Sequence, residues 1–280
     1  MSLLPRLPLA DGIDAVVDWL KGFDGLFDVP KEFIGFTVNH LSNGLSFIPA
    51  WLFIILLTGL AFFATKKRLG LPAFVFFGLM FIHNLGYWSD MMLTLSLVLT
   101  SAGISVILGI PFGIWMAKNK TVESIITPIL DFMQTMPAFV YLIPAVVFFG
   151  IGMVPGVIAS VIFAMPPTVR LTNLGIRQVS TELIEASDAF GSTPLQKLFK
   201  VQLPMAKKTI MAGVNQSIML ALSMVVIASM IGAAGLGTKV YYAVGRNDAG
   251  GGFEAGIALV ILAIILDRLT QSFNRQKGVA

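Results

Sequence analysis

The polar residues of this chain are few, and their types limit the chemistry open to it. There is no cysteine, which removes disulfides, thiolate metal sites and cysteine nucleophiles. His40 and His83 are distant in sequence and lack supporting ligands, so they do not read as a metal site. No Gly-x-x-x-x-Gly-Lys-Ser/Thr loop is present to cradle phosphates. Neither a Gly-x-Ser-x-Gly elbow nor a His-Glu-x-x-His helix occurs. Bond-making chemistry is therefore not indicated. Two other kinds of polar feature remain: lone polar residues inside apolar runs, and one charged stretch, "EASDAFGSTPLQKLFKVQLP", at 185–204.

The lone residues suit a path or a helix contact. Asp131, in "ILDFMQTMP", could meet a cationic headgroup or line a path, or could form a structural pair with a nearby lysine or backbone group. Gln134, Asn215 and Gln216 are candidates for the same path, and equally for hydrogen bonds between helices. Pro128, Pro137, Pro144, Pro155, Pro166 and Pro167 should break or kink spans. Such breaks persist where protein or a wet cavity satisfies the backbone, which favours a gated path over an anchor. Trp51, Tyr87, Trp88, Tyr241 and Tyr242 could hold a quaternary ammonium on their ring faces. All fall near outer span ends, where an interfacial aromatic belt is the simpler reading.

The elements that must position these residues are apolar helices. The chain is 56% hydrophobic and 12% charged, against about 25% charged in soluble domains. A soluble fold of this composition would expose large apolar patches, so the expected class is an all-α integral membrane protein. The formal charge of +4 does not point to nucleic acid. About seven spans are expected, at 47–65, 69–87, 91–117, 125–149, 154–169, 209–233 and 253–269. With "KKR" at 66–68 in the cytoplasm, only Arg6, Lys21, Lys31, Lys239 and Arg246 fall outside, and the other fourteen of the 19 basic residues fall inside. This bias places the N-terminus out, the C-terminus in and residues 185–204 in the cytoplasm. Residues 1–46 read as an extracytoplasmic amphipathic tail, with Ile13, Val16, Val17, Leu20 and Phe27 at roughly helical spacing against Asp11, Asp14, Asp18 and Asp28. Residues 47–90 should hold two transmembrane helices, 91–270 the core with a cytoplasmic loop at 170–208, and 271–280 a cytoplasmic tail. The stretch "KVYYAVGRNDAGGGFEAG" reads as a long outer loop, either a contact for an external protein or a flexible connector.

The charged stretch has its own punctuation. Ser180 or Thr181 can cap a helix, with Glu182 in its first turn. Leu183, Ala186, Ser187 and Phe190 follow at helical spacing. Gly191 can take the left-handed conformation that ends the helix. Thr193-Pro194 reads as an N-cap followed by proline at the first helical position. Leu195, Leu198 and Phe199 form a second stripe, which Pro204 should stop. The result is a compact helix–turn–helix with an apolar patch at the membrane surface.

These residues resemble the signature loop of ABC importer permeases: Glu-Ala-Ala, three residues, Gly, nine residues, Ile, one residue, Leu-Pro. Here Glu185-Ala186-Ser187, Gly191, Val201 and Leu203-Pro204 keep the spacing, with Ser187 and Val201 as small departures. "MMLTLSLVLTSAGISVILGIPFGIWMAK", "PILDFMQTMPAFVYLIPAVVFFGIG" and "VIASMIGAAGLG" are similar to permease subunits for glycine betaine and proline betaine, over about residues 93–266. The resemblance implies the transmembrane domain of a type I ABC importer in a bacterial or archaeal cytoplasmic membrane. It implies that Leu183, Glu185, Ala186, Ser187, Phe190, Gly191, Leu195, Leu198, Leu203 and Pro204 form a coupling surface for a separate ATPase. The implied partners are two ATPase subunits, a second copy of the permease, membrane lipid and a periplasmic, extracellular or lipid-anchored solute-binding protein. ATP and magnesium would bind the ATPase, and any aromatic cage for the solute would belong to the binding protein. Choline, carnitine or another compatible solute is the alternative cargo, and an ATPase-independent channel or secondary carrier is the remote one.

Overall fold

The computed structural model describes residues 9–65 and 68–275. The expectations for Arg6, Lys66, Lys67, Lys277 and residues 276–280 lie outside them. Among the described residues the structure is helical, with no strand. In chain order the helices are α1 (Leu9–Lys21), α2 (Asp24–Phe47), α3 (Ala50–Ala64), α4 (Gly70–Asn84), α5 (Trp88–Lys118), α6 (Lys120–Thr135), α7 (Leu142–Phe149), α8 (Met153–Arg177), α9 (Thr181–Ala189), α10 (Pro194–Lys197), α11 (Leu203–Ser229), α12 (Leu236–Gly245) and α13 (Ala249–Arg275). A short 3-10 turn (Ala138–Tyr141) precedes α7, and a π-turn (Leu198–Gln202) joins α10 to α11.

The framework is α5 and α11 packed on either side of α8. These helices approach closely because small residues face one another, the main route to helix association in lipid. A Cβ on Gly113 would stand 2.5 Å from the Thr172 Cβ, and one on Gly213 would stand 3.0 Å from the Pro167 carbonyl oxygen. Hydroxyls add cross-links: Ser217 Oγ lies 2.5 Å from the Ala164 carbonyl and 2.7 Å from Thr168 Oγ1. Because Ser217 donates to the carbonyl, Thr168 supplies the proton of the shared bond.

Four stretches are long and apolar enough to cross a membrane: Trp88–Lys118, Met153–Arg177, Pro194–Ser229 and Ala249–Ser272. Two further pairs qualify only jointly, Phe27–Phe47 with Ala50–Ala64, bent by 100°, and Lys120–Thr135 with Ala138–Phe149, bent by 108°. Both bends share one local cause. Ile48 and Met136 each precede a proline and hold extended backbone, because the proline ring disfavours the helical region for the residue before it.

Several expectations are corrected here. The span expected at 125–149 is not straight but folds back at Met136-Pro137. The span expected to end near Val169, after Pro166-Pro167, continues to Arg177. Both prolines are buried between neighbouring helices, and Ser217 of α11 donates into the same stretch; such support from neighbours lets proline persist in a span. The N-terminal tail divides in two. Helix α1 is amphipathic and buries no side chain, whereas α2 packs on α5 and α8 with Ile34 and Val38 buried. The stretch expected as an outer loop is a helical hairpin, α12 and α13, with a short turn at Arg246–Asp248. Asp248 caps α13 by accepting from the Gly251 N–H at 3.0 Å.

Candidate functional site

The stretch 181–204 folds as caps and spacing require. Ser180 occupies the N-cap of α9, although its side chain makes no capping bond. Gly191 follows at φ +73°, closing the helix with Gly191 N–H to the Asp188 carbonyl at 2.9 Å and Ser192 N–H to the Ser187 carbonyl at 3.1 Å. Thr193 and Gln196 then form a reciprocal capping box at the start of α10, satisfying two otherwise orphaned donors. Lys197 pairs with Asp188 across the turn. Two short helices are thereby locked into one rigid projection.

Its surface is apolar at the tip. Phe190 is 90% exposed, and Leu183, Leu195 and Phe199 are also exposed. Exposed Glu182, Glu185, Ala186 and Lys200 surround them. A fixed projection that presents two aromatic rings and two leucines to solvent has the composition of an interface centre with a charged rim.

The stripe is not the one the sequence suggests. Leu198 is buried with Ile176, Ala206 and Ile210, against Ile110, Ile114 and Ala117 of α5, and Leu203 packs at the edge of this cluster. Ser187 is buried too. Pro204 does not stop the helix. Leu203 N–H bonds to the Leu198 carbonyl, five residues back, and Pro204 enters α11 in its first turn, where a missing N–H is harmless. The wide turn also carries the chain past the i−4 carbonyl that a proline ring would strike. At the start of this turn Leu198 faces inward and Phe199 outward. Within residues 170–208, α8 runs to Arg177 and a continuous helix starts at Pro194.

The path candidates do not gather at one place. Asp131 on α6 pairs with Arg170 on α8, so its partner is an arginine. A second pair, Arg177 with Glu123, repeats the α8–α6 link, and Arg177 also donates to the Met116 carbonyl at 3.1 Å. Asn215 donates to Asp267 Oδ1 of α13 at 2.9 Å, and Gln271 donates to the same oxygen at 2.8 Å. Asn215 is thus an interhelical hydrogen bonder. Gln134 and Gln216 are exposed. Among the described residues no group of three or more His, Asp or Glu could hold a metal ion.

At the other end of the bundle, Lys239 of α12 lies 3.5 Å from Asp90 of α5. Thr94 Oγ1 accepts from the Leu236 N–H at 2.8 Å. Gly235, at φ +136°, leaves room for this contact: a Cβ there would lie 2.5 Å from Thr94 Oγ1. Tyr241 and Tyr242 are exposed beside one another, with Arg246 5.7 Å above the Tyr242 ring.

Sequence reasoning missed the Arg170, Arg177 and Lys118 contacts. Lys118, at the end of α5, donates to Gln202 in the π-turn. The available signal was basic residues at span ends; the sequence offers no register between one helix and the next.

A family model described as binding-protein-dependent transport system inner membrane component matches residues 109–278. The chain is 67% identical over 278 residues to the glycine betaine/carnitine transport permease protein GbuB of Listeria monocytogenes, covering 99% of each. It is 58% identical over 278 residues to the glycine betaine transport system permease protein OpuAB of Bacillus subtilis, covering 99% of this chain and 98% of that one. Among solved structures, an inward facing conformation of the MetNI methionine ABC transporter aligns with a TM-score of 0.63 at 23% identity, over 71% of this chain and 98% of that one. At that identity the likeness concerns the fold.

Proposed function

The chain belongs to the binding-protein-dependent transport system inner membrane component family and is a multi-pass permease that works with an ATPase and a substrate-binding partner; on that premise we propose that its cargo is glycine betaine and related quaternary-ammonium solutes. The relatives named for glycine betaine, identical at more than half of all positions over nearly the full length, support this cargo. Carnitine is the second cargo to consider, because the Listeria relative is named for both solutes.

The observation that carries the mechanism is the rigid projection with Phe190 at its tip. Phe190, Leu195, Phe199 and Leu183 enter a cleft on the ATPase, with Glu182 and Glu185 pairing with cations at its rim. Ala186 lies on the exposed face, Gly191 sets the turn between the two helices and Ser187 is buried beneath it, while Leu198 and Leu203 fasten the projection to the membrane helices from behind. ATP and its magnesium ion bind the ATPase, since this chain has no phosphate-cradling loop. Two permeases and two ATPases make the working unit. ATP closes the ATPases, draws the projections together and switches the spans between access states. Helix α1, with its apolar face unburied, rests on the outer lipid leaflet.

Uptake of labelled glycine betaine by proteoliposomes holding this chain, its ATPase and its binding protein tests the reading. Uptake should require ATP and binding protein and should fall when unlabelled carnitine or proline betaine is added. Accumulation by this chain alone would indicate a self-sufficient carrier. ATP-driven uptake of choline without glycine betaine would overturn the cargo.

A further inference from the structure

Helix α5 is fastened at one end to the π-turn that leads into α11 and at the other end to α12, and the fastening nearest the docking projection lies in an unusual turn. At the cytoplasmic end Lys118 Nζ donates to Gln202 Oε1. Gln202 is buried and belongs to the π-turn that leads out of the projection. Leu198, the first residue of the same turn, packs on Ile110, Ile114 and Ala117 of α5. At the far end Thr94 Oγ1 accepts from the N–H of Leu236, the first residue of α12, and Asp90 faces Lys239 of the same helix. Helix α8 holds α5 through Arg177 and the Met116 carbonyl. A displacement of the projection therefore reaches α5 directly as well as α11.

The chemistry of the contact suits a joint. An ammonium bonded to a neutral amide oxygen is a charge-assisted hydrogen bond, directional and stronger than one between two neutral groups. Much of Lys118 is exposed, but its ammonium is partly withdrawn from water at the contact with Gln202. π-turns are rare and cluster at functional positions, because the wide turn spends hydrogen-bond geometry that a regular helix keeps.

We propose that Lys118 and Gln202 are positioning residues that transmit movement of the ATPase-docking projection into α5, so that α5 and α11 switch together. This rests on the reading that residues 182–199 dock the ATPase. The contact touches neither solute nor nucleotide, and its loss leaves ATP hydrolysis running while the spans respond poorly.

The test uses the complete complex in proteoliposomes with Q202L, K118M and Q202E. Three quantities are read: ATPase retained on purification, ATP hydrolysis stimulated by solute-loaded binding protein, and solute moved per ATP hydrolysed. Q202L and K118M should retain the ATPase and hydrolyse ATP, while solute per ATP falls by about fivefold or more, the lower range of measured couplings between sites. Q202E, able to pair with Lys118, should restore the ratio. A purely structural contact would lower all three readings together, and unchanged solute per ATP in K118M would overturn the proposal even if Q202L failed to fold. F190A separates the two readings: if it retains the ATPase as well as the unaltered chain does, the docking surface is wrong, whatever Q202L does.

Discussion

Asp131 on α6 is paired with Arg170 on α8, two turns before Arg177 on the same helix pairs with Glu123. Asp131 is exposed over 57% of its side chain, whereas Arg170 is only partly exposed. Exposed pairs contribute about 0.2–1 kcal/mol. D131N should therefore lower the thermal stability of the purified complex only slightly and leave the KM for glycine betaine unchanged. A large rise in KM, with stability intact, would return Asp131 to the solute path.

The helix approach at Gly113 is a sharper constraint. Gly113 of α5 has no room for a side chain, because a Cβ would lie 2.5 Å from the Thr172 Cβ and 2.6 Å from the Val169 carbonyl oxygen, backbone that cannot swing away. G113A should lose about 1–3 kcal/mol, the usual cost of overpacking. Gly103 on the same helix has nothing within 4 Å of its Cβ position. There G103A should be neutral or gain up to about 1 kcal/mol from helix propensity. Unfolding of the two variants in detergent measures the contrast.

Some of this architecture is plain in the sequence, and the failures have identifiable causes. Helices α5, α11 and α13 stand out because their apolar runs are long. Helix α2 does not, since Ile34 and Val38 form a narrow stripe among exposed Asn39, His40 and Asn43, and its burial comes from α5 and α8. The bends at Ile48-Pro49 and Met136-Pro137 follow from the residue-before-proline rule. That rule would equally flag Ile110-Pro111 and Met165-Pro166, where α5 and α8 continue unbroken. At Pro166 and Pro167 neighbouring helices bury the prolines, a tertiary effect. The projection was largely legible because caps, glycine turn and helical spacing are local. Its exposed face was not fully legible, because Leu198, read as part of the stripe, is buried against α5 while Phe199 stays exposed.

Gly191 sits at φ +73° with nothing within 4 Å of its Cβ position. Space is available, so any cost of substitution arises from the backbone. A left-handed conformation costs most residues about 1–2 kcal/mol, and asparagine less. G191V should insert normally but let the α9–α10 angle relax, with transport lost or strongly reduced. G191N should keep most of it. Uptake assays on membranes with matched protein levels decide this, and full activity in G191V would show that the angle of the turn is immaterial.

Phe190 and Leu198 stand eight residues apart in one stretch, yet they should fail in opposite ways. Phe190 is 90% exposed and supports nothing within this chain. F190A should leave the unfolding of the isolated permease unchanged. In the complex it should weaken ATPase binding by about 2 kcal/mol or more, as truncation of a buried aromatic anchor does. Leu198 lies in the cluster with Ile176, Ala206 and Ile210. L198A should cost the isolated chain about 2–5 kcal/mol, with any loss of ATPase binding following from that damage. Paired measurements of permease unfolding and ATPase affinity separate the two effects. Equal stability losses in both variants would mean that Phe190 is held inside the permease, and a loss of ATPase affinity in L198A without destabilisation would place Leu198 back on the docking face.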